Sequence, residues 1–352
     1  MLKSLEQESE RLARSWLRHD AAMLRDYLVA GVEDPRINLQ SILSRHFLIR
    51  ALSGDRFHAL MMEECRFGAA MNWLMRFAAD EEEAVAVLHA LRTGADNAEG
   101  VEVPRFVLST FRGVPTEVAG LVAPNYIESF LAAADGEVMN TFCGLWRQIL
   151  VPGGAEPQDG VAAGHGEARD GDTRMNAPAA ARMSVLEPGC GSANDYRFLD
   201  ASGIAPLIDY TGFDLCRKNV ENACALFPNV RFQEGNLFSI DAPNASYDLC
   251  FLHDVLEHLS LEGLDAAMGE LCRVTRLGLC LGCFNVDEIT EHVVVPVDDY
   301  YWNRLSLGHL RQTAARHGFD SRAIHVGTFL REQFGCAYTH NPNAYALILW
   351  RG

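Results

Sequence analysis

The side chains best suited to chemistry begin in one stretch, Val185 to Asn194, which reads V-L-E-P-G-C-G-S-A-N. An apolar run ends on Glu187, and the turn Gly189-Cys190-Gly191 follows. The two glycines allow a backbone path and a close approach that side chains would block. Between a strand and a helix, such a turn offers bare N–H groups and a helix N-terminus to a nucleotide-like ligand. Asp214 ends Y-T-G-F-D, 23 positions after Gly191, where a carboxylate can accept both hydroxyls of a ribose. Further on comes Gly235-Asn236-Leu237, and an amide at Asn236 can read the edge of an adenine. His253 and the run Asp254-Val255-Leu256-Glu257-His258 complete the set. If that run opens a helix, Asp254, Glu257 and His258 share one face. Two carboxylates and an imidazole there suit a divalent cation, which would orient an acceptor hydroxyl and lower its pKa.

The elements that must hold these groups can be read from periodicity. From Met183 onward, apolar runs of strand length alternate with helical stretches. Strands are expected at 184–187, 208–214, 230–233, 247–253, 278–284, 319–326 and 344–350. Helices are expected near 193–202, 216–226, 261–275 and 306–317. The alternation implies an α/β fold, a mostly parallel sheet with helices on both faces. It places Glu187, Asp214 and Gly235 at carboxyl ends of strands, where such sheets bind ligands.

Upstream, residues 1–150 read as a helical N-terminal domain. Apolar residues recur at helical spacing over 2–17, 21–29 and 38–52, with breaks at Asp34-Pro35 and Gly54. The stripe Phe57, Leu60, Met61, Cys65, Leu74 and Met75 suits core packing. Asp80 is a plausible N-cap for 81–91, and two more helices are expected over 116–134 and 137–150. Residues 151–182 are rich in Gly, Ala, Pro and charge, and cannot bury enough surface to offset their ordering entropy. They read as a flexible linker, with His165 a solvated bystander. Residues 183–352 form the α/β domain.

The 352 residues are 49% hydrophobic and 22% charged, which suits a globular chain of about two domains. The net charge of −17 disfavours binding to nucleic acid or an anionic membrane. The ten cysteines show no disulfide framework and fit a reducing compartment. Cys280 and Cys283 lie three apart in a strand and face opposite sides, so they do not suggest a shared metal. The N-terminus lacks the apolar core of a signal peptide, and no apolar run is long enough to span a bilayer. The expectation is a soluble cytoplasmic protein with a small-molecule partner and no nucleic-acid or membrane partner. The N-terminal helices are expected either to cap the acceptor site or to mediate a homodimer.

The ligand can be narrowed further. A nicotinamide dinucleotide fits poorly, because Asn194 stands where G-x-G-x-x-G needs its third glycine. Glu187 would repel a pyrophosphate, but it suits an ammonium. S-adenosylmethionine (SAM) carries an ammonium, a ribose and an adenine, and no phosphate. E-P-G-C-G-S, Y-T-G-F-D-L, F-Q-E-G-N-L and Y-D-L-C-F-L-H-D-V-L-E-H-L together resemble the successive motifs of class I SAM-dependent methyltransferases. They are most similar to the small-molecule branch that includes the ubiquinone-biosynthesis O-methyltransferases. The resemblance covers about 183–350.

It implies a Rossmann-like sheet of seven strands, with SAM as cofactor and S-adenosylhomocysteine (SAH) as product. Glu187, Gly189, Cys190 and Gly191 would hold the methionine moiety. Asp214 with Leu215 would hold the ribose, Asn236 with Leu237 the adenine, and His253 would approach the methionine end. The family usually has Asp where Asn236 stands, and often a glycine where Ala193 stands. The D-V-L-E-H run is similar to metal-binding E-V-x-E-H segments of some O-methyltransferases, with Asp254 replacing the first Glu; other relatives carry it without metal. Candidate catalytic groups are His253, His258 and Tyr300. Histidine titrates near operating pH, which suits a general base. The insertion 285–305 offers His292, Tyr300, Tyr301, Trp302 and Asn303 as walls and polar handles for an acceptor. His340 and Asn341 read as turn formers. A non-catalytic SAM-binding scaffold and a NAD-dependent oxidoreductase are the competing classes.

Overall fold

The computed structural model describes residues 2–14, 38–75, 97–98, 101–102, 104–107, 182–201, 204–297, 300–339 and 341–352. The expected helices at 21–29, 81–91, 116–134 and 137–150, the linker up to 181, and His340 lie outside the described residues.

Seven strands form one sheet: β1 (Met183–Pro188), β2 (Ile208–Asp214), β3 (Arg231–Glu234), β4 (Tyr247–His253), β5 (Thr275–Cys283), β6 (Phe319–His325) and β7 (Tyr345–Arg351). Their order across the sheet is β6-β7-β5-β4-β1-β2-β3. Strands β1 to β5 pair in parallel, while β7 is antiparallel to both β5 and β6. The strand order reverses beside β1, so the crevice at the carboxyl ends of β1 and β4 is the ligand position for this topology.

Alternating side chains feed two cores. Leu186, Cys250, Leu279, Leu281 and Leu347 face α6 (Leu261–Val274) and α7 (Leu307–Arg316). Val185, Leu249, Phe251 and Cys280 face α4 (Asn194–Ala201) and α5 (Arg217–Leu226), together with α2 (Leu39–Ser53) from the N-terminal region. Cys280 and Cys283 therefore fall on opposite faces. All nine cysteines among the described residues are free.

Helix α2 begins where the sequence places it. The Asn38 side chain caps it by accepting from the Gln40 and Ser41 N–H groups. Every residue from Leu39 to Ile49 is buried, so this part of the helix has no solvent face, as expected of an interior segment. One side packs on the sheet, with the Phe47 and Trp350 rings 4.9 Å apart. Another side meets α3 (His58–Met75), where Glu64 accepts from His46 at 2.7 Å and lies 3.8 Å from Arg45. Helix α1 (Leu2–Leu12) lies across the carboxyl ends: Leu12 enters the core beside α6, and Glu8 accepts from the N–H and hydroxyl of Ser260, the α6 N-cap. Helices α1 and α2 thus pack directly against the elements of the sheet and α6.

Strands β2 and β4 run over the residues read from the pattern, and β5 starts three residues early, at Thr275. One helix was not anticipated: α8 (Val326–Phe334), capped by the His325 imidazole and closed by Gly335 at φ 71. Its closing glycine was the available signal. No helix among the described residues is long and apolar enough to cross a membrane.

Candidate functional site

The glycine turn after β1 has the backbone its residues suggest. Gly189 and Gly191 sit at φ 66 and 53, in the left-handed region that favours glycine. A Cβ at Gly189 would come within 2.9 Å of the Val255 side chain. Ala193 is also left-handed, at φ 68. The turn is tied to β2: Cys190 N–H donates to the Phe213 carbonyl and Gly191 N–H to Asp214 Oδ2, each at 3.0 Å. Asp214 Oδ1 accepts from Cys216 N–H at 2.7 Å and from the Asn219 amide at 3.2 Å. Three donors from the chain occupy most of the roughly four acceptor positions of a carboxylate. Asp214 therefore organises two loops.

Glu187 is buried, and the Tyr210 hydroxyl donates to its Oε2. Burial, with the charges of Asp195 and Asp214 adding to it, pushes the Glu187 carboxyl well above its ordinary range against the pull of the Tyr210 hydrogen bond. Burial also raises Asp214, although its three donors oppose this. For Asp195, burial is outweighed by the His253 ring, with help from Arg45 and Ser41, and its pKa is lowered. Asp195 was not singled out in the sequence. The signal available was its place in the first turn of α4, directly after the glycine turn. Cys190 is buried, which raises its thiol.

The neighbouring candidates lie close by. Leu237 is buried and Leu215 packs against the same core cluster. The Asn236 side chain is engaged at both ends: its oxygen accepts from Phe238 N–H, and its amide donates to Ser9 of α1 at 2.9 Å. His253 ends β4, with Nδ1 3.0 Å from Asp195 Oδ2 and Nε2 2.5 Å from Ser44 Oγ of α2.

After β4 the expected helical face does not form. Asp254 is left-handed at φ 52, and Leu256–His258 is a single 3-10 turn. Glu257 is 0% exposed, and its Oε1 accepts from the N–H groups of Phe284 and Asn285 at 2.6 and 3.3 Å. Asp254 accepts from Gln40 at 3.1 Å, and His258 Nδ1 lies 2.9 Å from the Tyr301 carbonyl. These three side chains are directed to separate partners. Among the described residues no group of three or more His, Cys, Asp or Glu is arranged to hold a metal. The premise for a cation at Asp254, Glu257 and His258 is thus corrected by the local backbone.

His258 instead sits in an aromatic frame: the Phe284, Tyr300 and Trp302 rings lie 5.5, 5.6 and 5.5 Å away. A carbonyl only accepts, so Nδ1 carries the proton and Nε2 the lone pair. Burial lowers the His258 pKa against the opposing hydrogen bond to Tyr301, which favours the neutral ring. In the insertion, Asn303 is fully buried and braces the loop, donating to the Leu259 carbonyl and accepting from Val295 N–H. His292 accepts from Ser306 N–H and stacks near His309. Arg11 of α1 lies over the Tyr301 ring, and Trp302 is 42% exposed.

The family described as "Methyltransferase domain" matches residues 185–278. No curated protein matches the chain. Similar solved structures include YcgJ from Bacillus subtilis: 15% identity, 49% of this chain, 92% of that one, TM-score 0.35. Another is magnesium protoporphyrin IX methyltransferase (ChlM) from Synechocystis PCC 6803 with bound SAM: 17%, 49%, 71% and 0.35. A third is the DhpI–SAH complex: 18%, 49%, 78% and 0.36.

Proposed function

We propose that the chain transfers a methyl group from SAM to an oxygen, nitrogen or sulfur of a small-molecule acceptor. The observation that carries the reading is the gathering of two buried carboxylates, Glu187 and Asp214, and the partly buried Asp195 around one glycine turn. Such a site suits a ligand with an ammonium and a sulfonium, and it opposes a pyrophosphate. The residues fit the cofactor: the turn leaves no room for a Cβ at Gly189, and Asp214 retains an acceptor position for a ribose hydroxyl.

When bound, SAM supplies an electrophilic methyl on sulfur. The chain's own task is alignment, and holding two reactants in line contributes about 7–11 kcal/mol at best. A cation beside Glu187 favours its ionised form, against the burial that raises its pKa. His258 Nε2 is suited to take the proton from an acceptor hydroxyl, and the Phe284, Tyr300 and Trp302 rings offer flat apolar walls. With the resemblance of the sequence motifs to those of ubiquinone-biosynthesis O-methyltransferases, this makes a hydroxyl on an aromatic ring the first acceptor to try. The test follows SAH formation from SAM over a panel of phenols, amines and thiols. Acceptor-dependent SAH with a methylated product supports transfer. SAM binding with no product from any acceptor favours the scaffold reading.

A further inference from the structure

We propose that Ser44, on helix α2 of the N-terminal region, is a positioning residue for the cofactor site and acts through His253. The inference rests on the SAM reading above. Ser44 Oγ lies 2.5 Å from His253 Nε2, and Asp195 Oδ2 lies 3.0 Å from Nδ1. Asp195 is held as a carboxylate that only accepts, so Nδ1 carries the proton. Nε2 lies against the Ser44 hydroxyl, which donates to it wherever the ring is neutral. One ring is thus pinned at both nitrogens by residues from α2 and α4, in one orientation.

The order of groups is that of a hydrolase triad, but Ser44 is 1% exposed. Its hydroxyl lies between the His253 ring and the Cys280 thiol, 3.3 Å away, where no acyl donor can reach it. The arrangement therefore positions a ring and does not supply a nucleophile. Nearby geometry gives the ring little freedom: a Cβ on Gly282 would come within 2.6 Å of His253 Cδ2 and 3.1 Å of Gln40 Cβ. One turn before Ser44 on α2, Gln40 donates to Asp254, the residue after His253. Helix α2 thus fixes both residues at the carboxyl end of β4, beside the glycine turn. Losing one partner of a buried hydrogen bond typically costs on the order of tenfold in the equilibrium that the bond supports.

The test uses the full chain and compares wild type, Ser44→Ala and Ser44→Thr. Imidazole 15N spectra, with His253 assigned from its loss in His253→Gln, report the tautomer. Calorimetry with SAM and SAH reports affinity, and thermal unfolding reports integrity. At a pH where the ring is neutral, wild type should show a pyrrole-type Nδ1 and a hydrogen-bonded, pyridine-type Nε2. Ser44→Ala should fold, shift the Nε2 resonance as that hydrogen bond is lost and bind SAM roughly tenfold more weakly, and Ser44→Thr should restore both. A folded Ser44→Ala chain with an unchanged His253 spectrum, or with wild-type SAM affinity, overturns the proposal. A Ser44→Thr chain as weak as Ser44→Ala also overturns it, because packing would then be the cause. Wild type that binds no SAM overturns the proposed function and the cofactor half of this inference, while the spectrum still reads the lock itself.

Discussion

The carboxyl ends of β1 and β2 are wired locally, whereas the carboxyl end of β4 is wired from far away. At the first, Gly191 meets Asp214 and Glu187 meets Tyr210, each across 23 residues of sequence. At the second, His253 meets Ser44 across 209 residues, Asp254 meets Gln40 across 214, and Ser260 meets Glu8 across 252. Both ends lie side by side, since β1 pairs with β2 on one side and with β4 on the other. The glycine turn and its carboxylates are complete within a βαβ unit. The wall beside them depends on helices that come before that unit and are packed onto it.

The largest expected effect breaks the local half. Asp214→Ala removes the acceptor of three hydrogen bonds and frees both loops. SAM affinity should fall by roughly two orders of magnitude or more, read by calorimetry on a chain shown to be folded. Retained affinity would mean that the turn holds its shape without β2.

A smaller effect tests the distant half through pH. Burial pushes the Glu257 carboxyl from its ordinary 4.5 up to about 7, although backbone N–H groups oppose the shift. The folded chain therefore binds more protons than the unfolded chain across that window, and this contribution to stability is lost as pH rises from about 4.5 through about 7. The swing is at most on the order of 3 kcal/mol. Glu257→Gln should flatten the decline in urea midpoint with rising pH. Glu187 and Asp214, also raised, keep a slope of the same sign in the variant. An unaltered slope would show that Glu257 is ionised in the folded chain at neutral pH.

The smallest effect concerns Ala193. Its left-handed backbone costs about 1–2 kcal/mol relative to an ordinary conformation, and glycine removes that strain while adding unfolded-state entropy. Ala193→Gly should gain about 0.5 kcal/mol, read from chemical denaturation. A loss above 1 kcal/mol would mean that the buried Ala193 methyl contributes more by packing than its backbone costs.

The same division explains what was legible in the sequence. Glu187, the glycines and Asp214 were readable because strand, turn and helix follow one another and the spacing reports the contact. The seven strands were readable because apolar runs alternate with helices. Asp195 was missed because a carboxylate in a first helical turn is ordinary unless its His253 partner is known. The face shared by Asp254, Glu257 and His258 was expected from an α-helix, and Glu257 bonding to Phe284 and Asn285 fixes a 3-10 turn instead. Ser44 and Gln40 gave no sign of their roles, because a serine and a glutamine on a helix mean little until the helix has a neighbour. Asn236 was read for adenine, and its bond to Ser9 could not be seen from either residue alone.

The most direct measurement is a calorimetric titration of the full chain with SAM, paired with one using NAD. The account predicts saturable one-site binding of SAM, displaced by SAH, and no binding of NAD. Saturable binding of NAD with none of SAM would contradict it.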